Sequence, residues 1–494
     1  MLYTTLREII TKSAEQYADI DAVRYKIGKD AIEAKTYAQL RKDSQKVSAL
    51  LAGYGLKGAH IALTGASSYA WIITYFGIVN SGNVAVPLDV SLPAEDMCEL
   101  IDRSDAVLFV VDELRRDVKE LAKSACPKLQ RVISMQEELH ELLDSVSDEF
   151  EYEPQPEDLC TIMFTSGTTG KSKGVMLTHR NLAENATCVD MGYEPGSVLL
   201  SVLPIHHAYC LSMDILKGFS VGATVCLNDS LIRMAKNIKL FRPNMILMVP
   251  LMIETLARKL EDAAGLPPAA VKNEVFGPQL HTICSGGAYL NPDYIDLFAR
   301  YDIIILQGYG MTECSPVISS NLSWDLRKDT VGKLYPNCEA KVVDEELWIR
   351  GSSVMLGYYK MPEETSETLV DGWLRTGDLG YVDEDQYVHL TGRKKNLIIT
   401  KNGENVSPEE LENRLATNHL VLEVLVREAD GVIEAEIFPD ESYAQKMGIS
   451  DIPAALQEII DACNKEQPSY KRILRLKVRT TEFEKTPSKK IKRY

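Results

Sequence analysis

The sequence has no surplus of positive charge, no long apolar run and no closely paired cysteines, and each absence removes a class of function. Its 494 residues carry a formal charge of −17, which repels phosphate backbones, so no nucleic acid is expected as a partner. The apolar run Met245–Ile253 is broken by Pro250 and falls short of the roughly 18–20 residues that cross a membrane, so no membrane span is expected. Ten cysteines are scattered without a CxxC pair. That usage fits the reduced thiols of a cytoplasmic protein better than a disulfide framework or a zinc site. The opening MLYTTLREIITKSAEQ is charged and does not read as a secretory signal. No internal repeat and no low-complexity tract is present.

What remains is an ordinary globular composition, 45% hydrophobic and 25% charged, in a chain long enough for two or more domains. Residues 37–56 pattern as a helix with one apolar face. HIALTG (60–65) follows as a short strand, then an apolar helix over 70–79, VAVPL (84–88) as a strand, and another over 106–111. Such alternation predicts an α/β domain with a largely parallel sheet. The acidic, proline-bearing stretch 149–158 reads as a surface connection. A second α/β stretch runs over 159–306, and short, turn-rich segments over 334–390 predict strands of a barrel or small sheet. Ser407 and Pro408 signal a helix start, with Glu410 as capping-box partner. The chain turns strongly basic after Tyr470.

The most informative segment is TIMFTSGTTGKSKGVMLTH, residues 161–179. A β-rich run leads into a loop of Thr165, Ser166, Gly167, Thr168, Thr169, Gly170 and Lys171, with Lys173 close behind. Glycines bring backbone N–H groups against an anion, hydroxyls add donors and lysines add charge, a combination suited to a polyphosphate. Taken alone, such a loop also suits a surface turn. It is not a Walker A loop, because Thr165 stands where that motif needs glycine.

Further segments follow in order: LPIHHAY (203–209), SGGAYL (285–290), QGYGMTE (307–313), GWLRTGDLGYV (372–382), GRKKNLI (392–398) and KTPSKKIKR (485–493). With the loop at 161–179, this set resembles the adenylate-forming superfamily of acyl- and aryl-CoA synthetases, luciferases and peptide-synthetase adenylation domains. The resemblance spans essentially the whole chain.

It implies a large N-terminal domain (1–393) of α/β subdomains plus a barrel-like part. A small mobile C-terminal α/β domain (394–494) would follow, hinged at Lys395. The implied nucleotide site comprises residues 165–171, Gly286, Gly287 and Ala288 on the adenine side, and Gly308, Tyr309, Gly310 and Thr312. Tyr309 offers a face to adenine, while Asp378 and Arg393 lie toward the ribose. Glu313 and Thr165 would hold Mg²⁺, a role that a carboxylate at a strand's end suits. Lys490, His207, Thr165 and Glu313 would be catalytic, the Lys490 ammonium bridging the attacking carboxylate and the α-phosphate. The implied substrates are ATP, a carboxylic acid and coenzyme A.

LPIHHAY and GRKKNLIITKNGENVSPEE look most like medium- to long-chain fatty acyl-CoA synthetases. An enzyme that loads a carrier-protein phosphopantetheine shares nearly all these motifs. A non-catalytic nucleotide- or acyl-binding protein on the same fold is the reading of another class. Amino-acid-activating relatives carry an aspartate near position 207, where this chain has His207, so an α-amino acid is not expected as substrate. Three departures stand out: Lys489 for a usual glycine, Asn396 for a frequent acid, and Gln386 for a frequent glycine.

Overall fold

The computed structural model describes residues 2–28, 31–165, 171–263, 265–400, 404–485 and 491–493. The predicted strands His60–Thr64, Val84–Leu88 and Ala106–Val111 lie side by side and parallel in a seven-stranded sheet. Leu159–Thr165 extends that sheet in parallel, and Lys173–Thr178 and Gly357–Tyr358 close it antiparallel. A nine-stranded sheet has as its parallel centre Val198–Ser201, Thr224–Leu227, Met245–Met248, Thr282–Ser285 and Ile304–Gly310.

One helix binds the two sheets. Tyr69–Asn80 starts at Ser68, whose hydroxyl accepts from the Trp71 N–H, and every residue of it except Ala70 is buried. A helix apolar on all sides must be covered on all sides. Its Phe76 ring lies 6.0 Å from Phe219, on the short helix that precedes strand Thr224–Leu227, and residues of both sheets share one continuous core. The apolar run near Met245 ends as expected: Pro250 occupies the first turn of helix Pro250–Asp262, where its missing N–H is no loss.

The turn-rich part forms a third, five-stranded antiparallel sheet that includes Cys338–Val343, Glu346–Gly351, Trp373–Val382 and Val388–Arg393. The segment around Asp378 is therefore the middle of one ten-residue strand, not a turn between two. From Ile398 onward a separate core packs three helices on a three-stranded sheet, Val421–Ala429, Val432–Pro439 and Arg475–Val478. Helix Pro408–Leu415 begins at Ser407, but the capping box is not made: Ser407 donates to Glu409 at 3.1 Å, while Glu410 pairs with Lys471 at 2.7 Å. An available ammonium outcompetes a local cap for the carboxylate.

His179 ties three helices. Its Nδ1 accepts the Leu6 N–H at 3.2 Å, it opens helix His179–Thr187, and it bonds the backbone of Val79. Burial holds its pKa near 4, below the ordinary 6.5. The native imidazole thus stays neutral where the unfolded one takes up a proton. This contribution is intact above pH 6.5 and fades as pH falls toward 4, by about 3 kcal/mol over the full span. Urea titrations at pH 7.5 and 4.5 should show His179→Gln less stable than the parent at the higher pH and visibly less pH-dependent.

Candidate active site

The carboxyl ends of parallel strands from both large sheets supply the site, as expected for open α/β sheets. Strand Leu159–Thr165 ends with Thr165 directly opposite Lys173. Ser166, Gly167, Thr168, Thr169 and Gly170 lie outside the described residues; Lys171 is exposed at the loop's far side. Arg103 holds the carbonyl of Ser172 at 2.7 Å. The Lys173 ammonium stands 4.7 Å over the ring of Tyr358, whose hydroxyl donates to Glu313 Oε1 at 2.8 Å. Glu313 is thereby fixed beside the phosphate-loop flank. It sits in the one-turn helix Thr312–Cys314, and its own carbonyl accepts from the Met355 N–H at 2.9 Å. Among the described residues no lysine or arginine nitrogen comes within 4.0 Å of its carboxylate.

Gly308, Tyr309 and Gly310 form the end of strand Ile304–Gly310. A Cβ at Gly310 would meet the Pro316 carbonyl at 2.0 Å, so only glycine lets the chain fold back there. Tyr309 is buried and donates its hydroxyl to Asp378 Oδ2 at 2.7 Å; Arg393 Nε binds Oδ1 at 2.8 Å. Burial, reinforced by Asp378, pushes the Tyr309 hydroxyl well above its usual range, so it remains a donor. A carboxylate offers about four acceptor positions. Tyr309 and Arg393 each fill one of them.

Gly286 is buried and Gly287 and Ala288 exposed just beyond strand Thr282–Ser285, and a Cβ at Gly286 would press on the Tyr209 ring at 3.2 Å. Tyr209 follows His207, which is exposed and accepts the Tyr209 N–H on Nδ1 at 3.2 Å. Its neighbour His206 lies 3.7 Å from Asp89, and burial lowers its pKa despite that carboxylate. One turn on, Asp214 is fully buried with Oδ1 lacking any hydrogen-bond partner, and burial raises it to about 7. Lys490 lies outside the described residues. The residues on either side of that gap, Lys485 and Ile491, form an antiparallel bridge.

Residues 10–359 match the family described as AMP-binding enzyme, and residues 395–494 match its C-terminal domain. The chain belongs to the AMP-binding enzyme family. It is similar to the long-chain-fatty-acid–CoA ligase of Salmonella typhimurium, 28% identical over 85% of this chain and 82% of that protein. It is also similar to a probable CoA ligase, CCL5, of Humulus lupulus, 29% identical over 93% and 87%. Among solved structures, anthranilate CoA ligase AuaEII in complex with anthranoyl-AMP superposes with a TM-score of 0.85 at 22% identity, covering 99% and 96%.

The donor set of this AMP-binding enzyme fits Mg²⁺. The Glu313 carboxylate, with no lysine or arginine nitrogen within 4.0 Å among the described residues, suits an ion that keeps its waters and binds substrate phosphates. Tyr358 and Arg103 were invisible in the motif pattern. Both come from distant segments to Ser172 and Lys173, and nothing in the local sequence announces either. Asp214 was missed because an acid inside an apolar run gives no periodic signal.

Tyr309→Phe should remove the hydrogen bond that the Tyr309 hydroxyl gives Asp378 Oδ2, lowering stability by about 1–3 kcal/mol in a urea titration.

Proposed function

We propose that this enzyme activates a fatty or aryl carboxylic acid with ATP to an acyl-adenylate and then forms a thioester with coenzyme A, releasing pyrophosphate and AMP. The observation that carries the reading is the convergence, from three sheets, of Glu313, which has no ion-pair partner among the described residues, the loop flank at Thr165 and Lys173, and the Asp378–Tyr309–Arg393 cluster. These groups answer in turn to a metal, to phosphates and to a ribose. Mg²⁺ held by Glu313 and Thr165 would supply charge neutralisation at the phosphates. Gly286, Gly287 and Ala288 with Tyr309 would flank adenine, and His207 would line the acid pocket. The Lys490 ammonium would stabilise negative charge as the acid attacks the α-phosphate.

We take residues 1–393 and 394–494 as the two bodies and exposed Lys395 as their hinge, so that rotation presents a second face for thiol attack. The names of the relatives, a fatty-acid and a plant CoA ligase, support the acid class and the acceptor. Ten free cysteines support a cytoplasmic setting, and no helix among the described residues is long and apolar enough to cross a membrane.

Purified enzyme with ATP and Mg²⁺ should release pyrophosphate and AMP with decanoate or benzoate far faster than with free α-amino acids, and chelation should abolish turnover. ADP and phosphate as products, or faster turnover with amino acids, would overturn the reading. Thioester formation with a carrier protein but not with free coenzyme A would replace the acceptor alone.

Lys490→Ala should slow adenylation by a factor on the order of 10²–10³, while largely sparing thioester formation from supplied acyl-adenylate. Lys489→Ala should do much less. The reverse pattern in single-turnover assays would show that Lys489 is the catalytic group.

A further inference from the structure

A cavity of about 580 Å³ opens where the end of helix Leu6–Gln16 meets the segment 187–195. No residue assigned above to nucleotide, metal or acid lines it. Its size is that of a small-molecule site. Lys217 lines it although only 3% exposed, and its ammonium donates to the Val189 carbonyl. An ammonium carries three donors. Among the described residues no second hydrogen-bond acceptor meets it, and no carboxylate oxygen comes within 4.0 Å. Asp190 pulls on Lys217 from beyond that distance, and its Oδ1 accepts the Gly192 N–H at 2.8 Å.

A buried cation without a counter-charge is costly, and an anion placed beside it recovers that cost. Burial lowers Lys217 to about 8, and the pull of Cys188 and Asp190 offsets only part of this. The rest of the lining mixes Tyr3, Tyr17, Val221 and Pro336 with polar groups, of which the Thr187 and Ser220 hydroxyls and the Asn337 amide already donate within the fold. A phosphate asks for several donors, whereas one ammonium among such surfaces suits a single carboxylate on an apolar body.

We propose that this cavity is a second small-molecule site, which takes an amphipathic carboxylate with its oxygens on the Lys217 ammonium and its body against Tyr3, Tyr17 and Pro336. The ring of Tyr193 lines the same cavity, and its hydroxyl is buried beside Cys284, with Asp214 and Tyr209 close by. Tyr193 thus reaches from this cavity toward Asp214 and Tyr209.

The full-length enzyme would be titrated with 4-fluorobenzoate, followed by ¹⁹F NMR. The catalytic site would first be filled with the non-hydrolysable analogue benzoyl-sulfamoyl adenosine. Binding of the analogue is measured beforehand; its failure to bind counts against the proposed activity, and the comparison with K217M still decides the second site. The loaded wild type should bind one further 4-fluorobenzoate. K217M, which keeps the side chain's length without its charge, should bind it about tenfold more weakly or worse.

Titratable groups facing Lys217 are Tyr3 and Tyr17 from the N-terminal segment, Cys188 and Asp190 beyond helix His179–Thr187, and Tyr193. Lys217 is the cation among them, so wild-type affinity should fall as pH rises from 7 to 9.5 while that of K217M stays flat. Absence of a second binding event, equal affinity in K217M, or a flat wild-type pH profile would each overturn the proposal. Displacement of the probe by the decanoyl analogue but not the benzoyl one would also overturn it, making the cavity part of the acyl channel. If K217M fails to fold, the wild-type pH profile decides alone.

Discussion

The carboxylate of Asp378 is where three parts of the chain meet, and the rest of the site is arranged around its burial. Only 4% of the residue is exposed, so its charge must be answered by protein donors. Tyr309 answers from the nine-stranded sheet and Arg393 from the last strand before the small domain. Just behind it Glu346, itself buried, accepts the Gly377 N–H and the Lys394 ammonium, each at 3.0 Å. Burial pushes Glu346 up, but Lys394 and the Gly377 N–H outweigh it and hold the carboxyl below its ordinary range. Two buried acids thus fix Arg393 and Lys394, the residues immediately before Lys395. Strand Trp373–Val382 and the start of the small domain are held by the same electrostatic demand.

The α/β layers were legible because their signals are local. Apolar strands such as Val84–Leu88 and the all-apolar helix Tyr69–Asn80 declare full burial in their own composition. Boundaries drifted where composition is ambiguous: helix Tyr37–Gly53 stops three residues before the apolar pattern does. Gln386 illustrates a rule read through an exception. It adopts φ of +70°, the conformation that makes glycine frequent there.

The site was legible as motifs but not as contacts. Glu313 could be placed at a strand's end, yet its partner Tyr358 comes from an edge strand 45 positions on. Asn396, where an acid is frequent, donates to Glu409 at 2.5 Å, a role an acid could not fill unless protonated. Long-range pairing of this kind follows from the three-dimensional register, which no spacing rule in one sequence encodes.

The way the small domain rests on the large one is equally specific. Among the described residues beyond Lys395, Arg258 pairs with Asp440 at 3.1 Å and Lys446 with Asp262 at 2.7 Å, and His419 lies 3.5 Å from Glu261. At least one partner of each is largely exposed, and such pairs contribute about 0–1 kcal/mol apiece and weaken with salt. Each domain, by contrast, has its own buried core. Where the two domains join, contact is close: a Cβ on Gly392 would lie 2.0 Å from Ser407 Oγ. Each body thus coheres through its own buried core, while the ion pairs that cross the boundary among the described residues are individually weak.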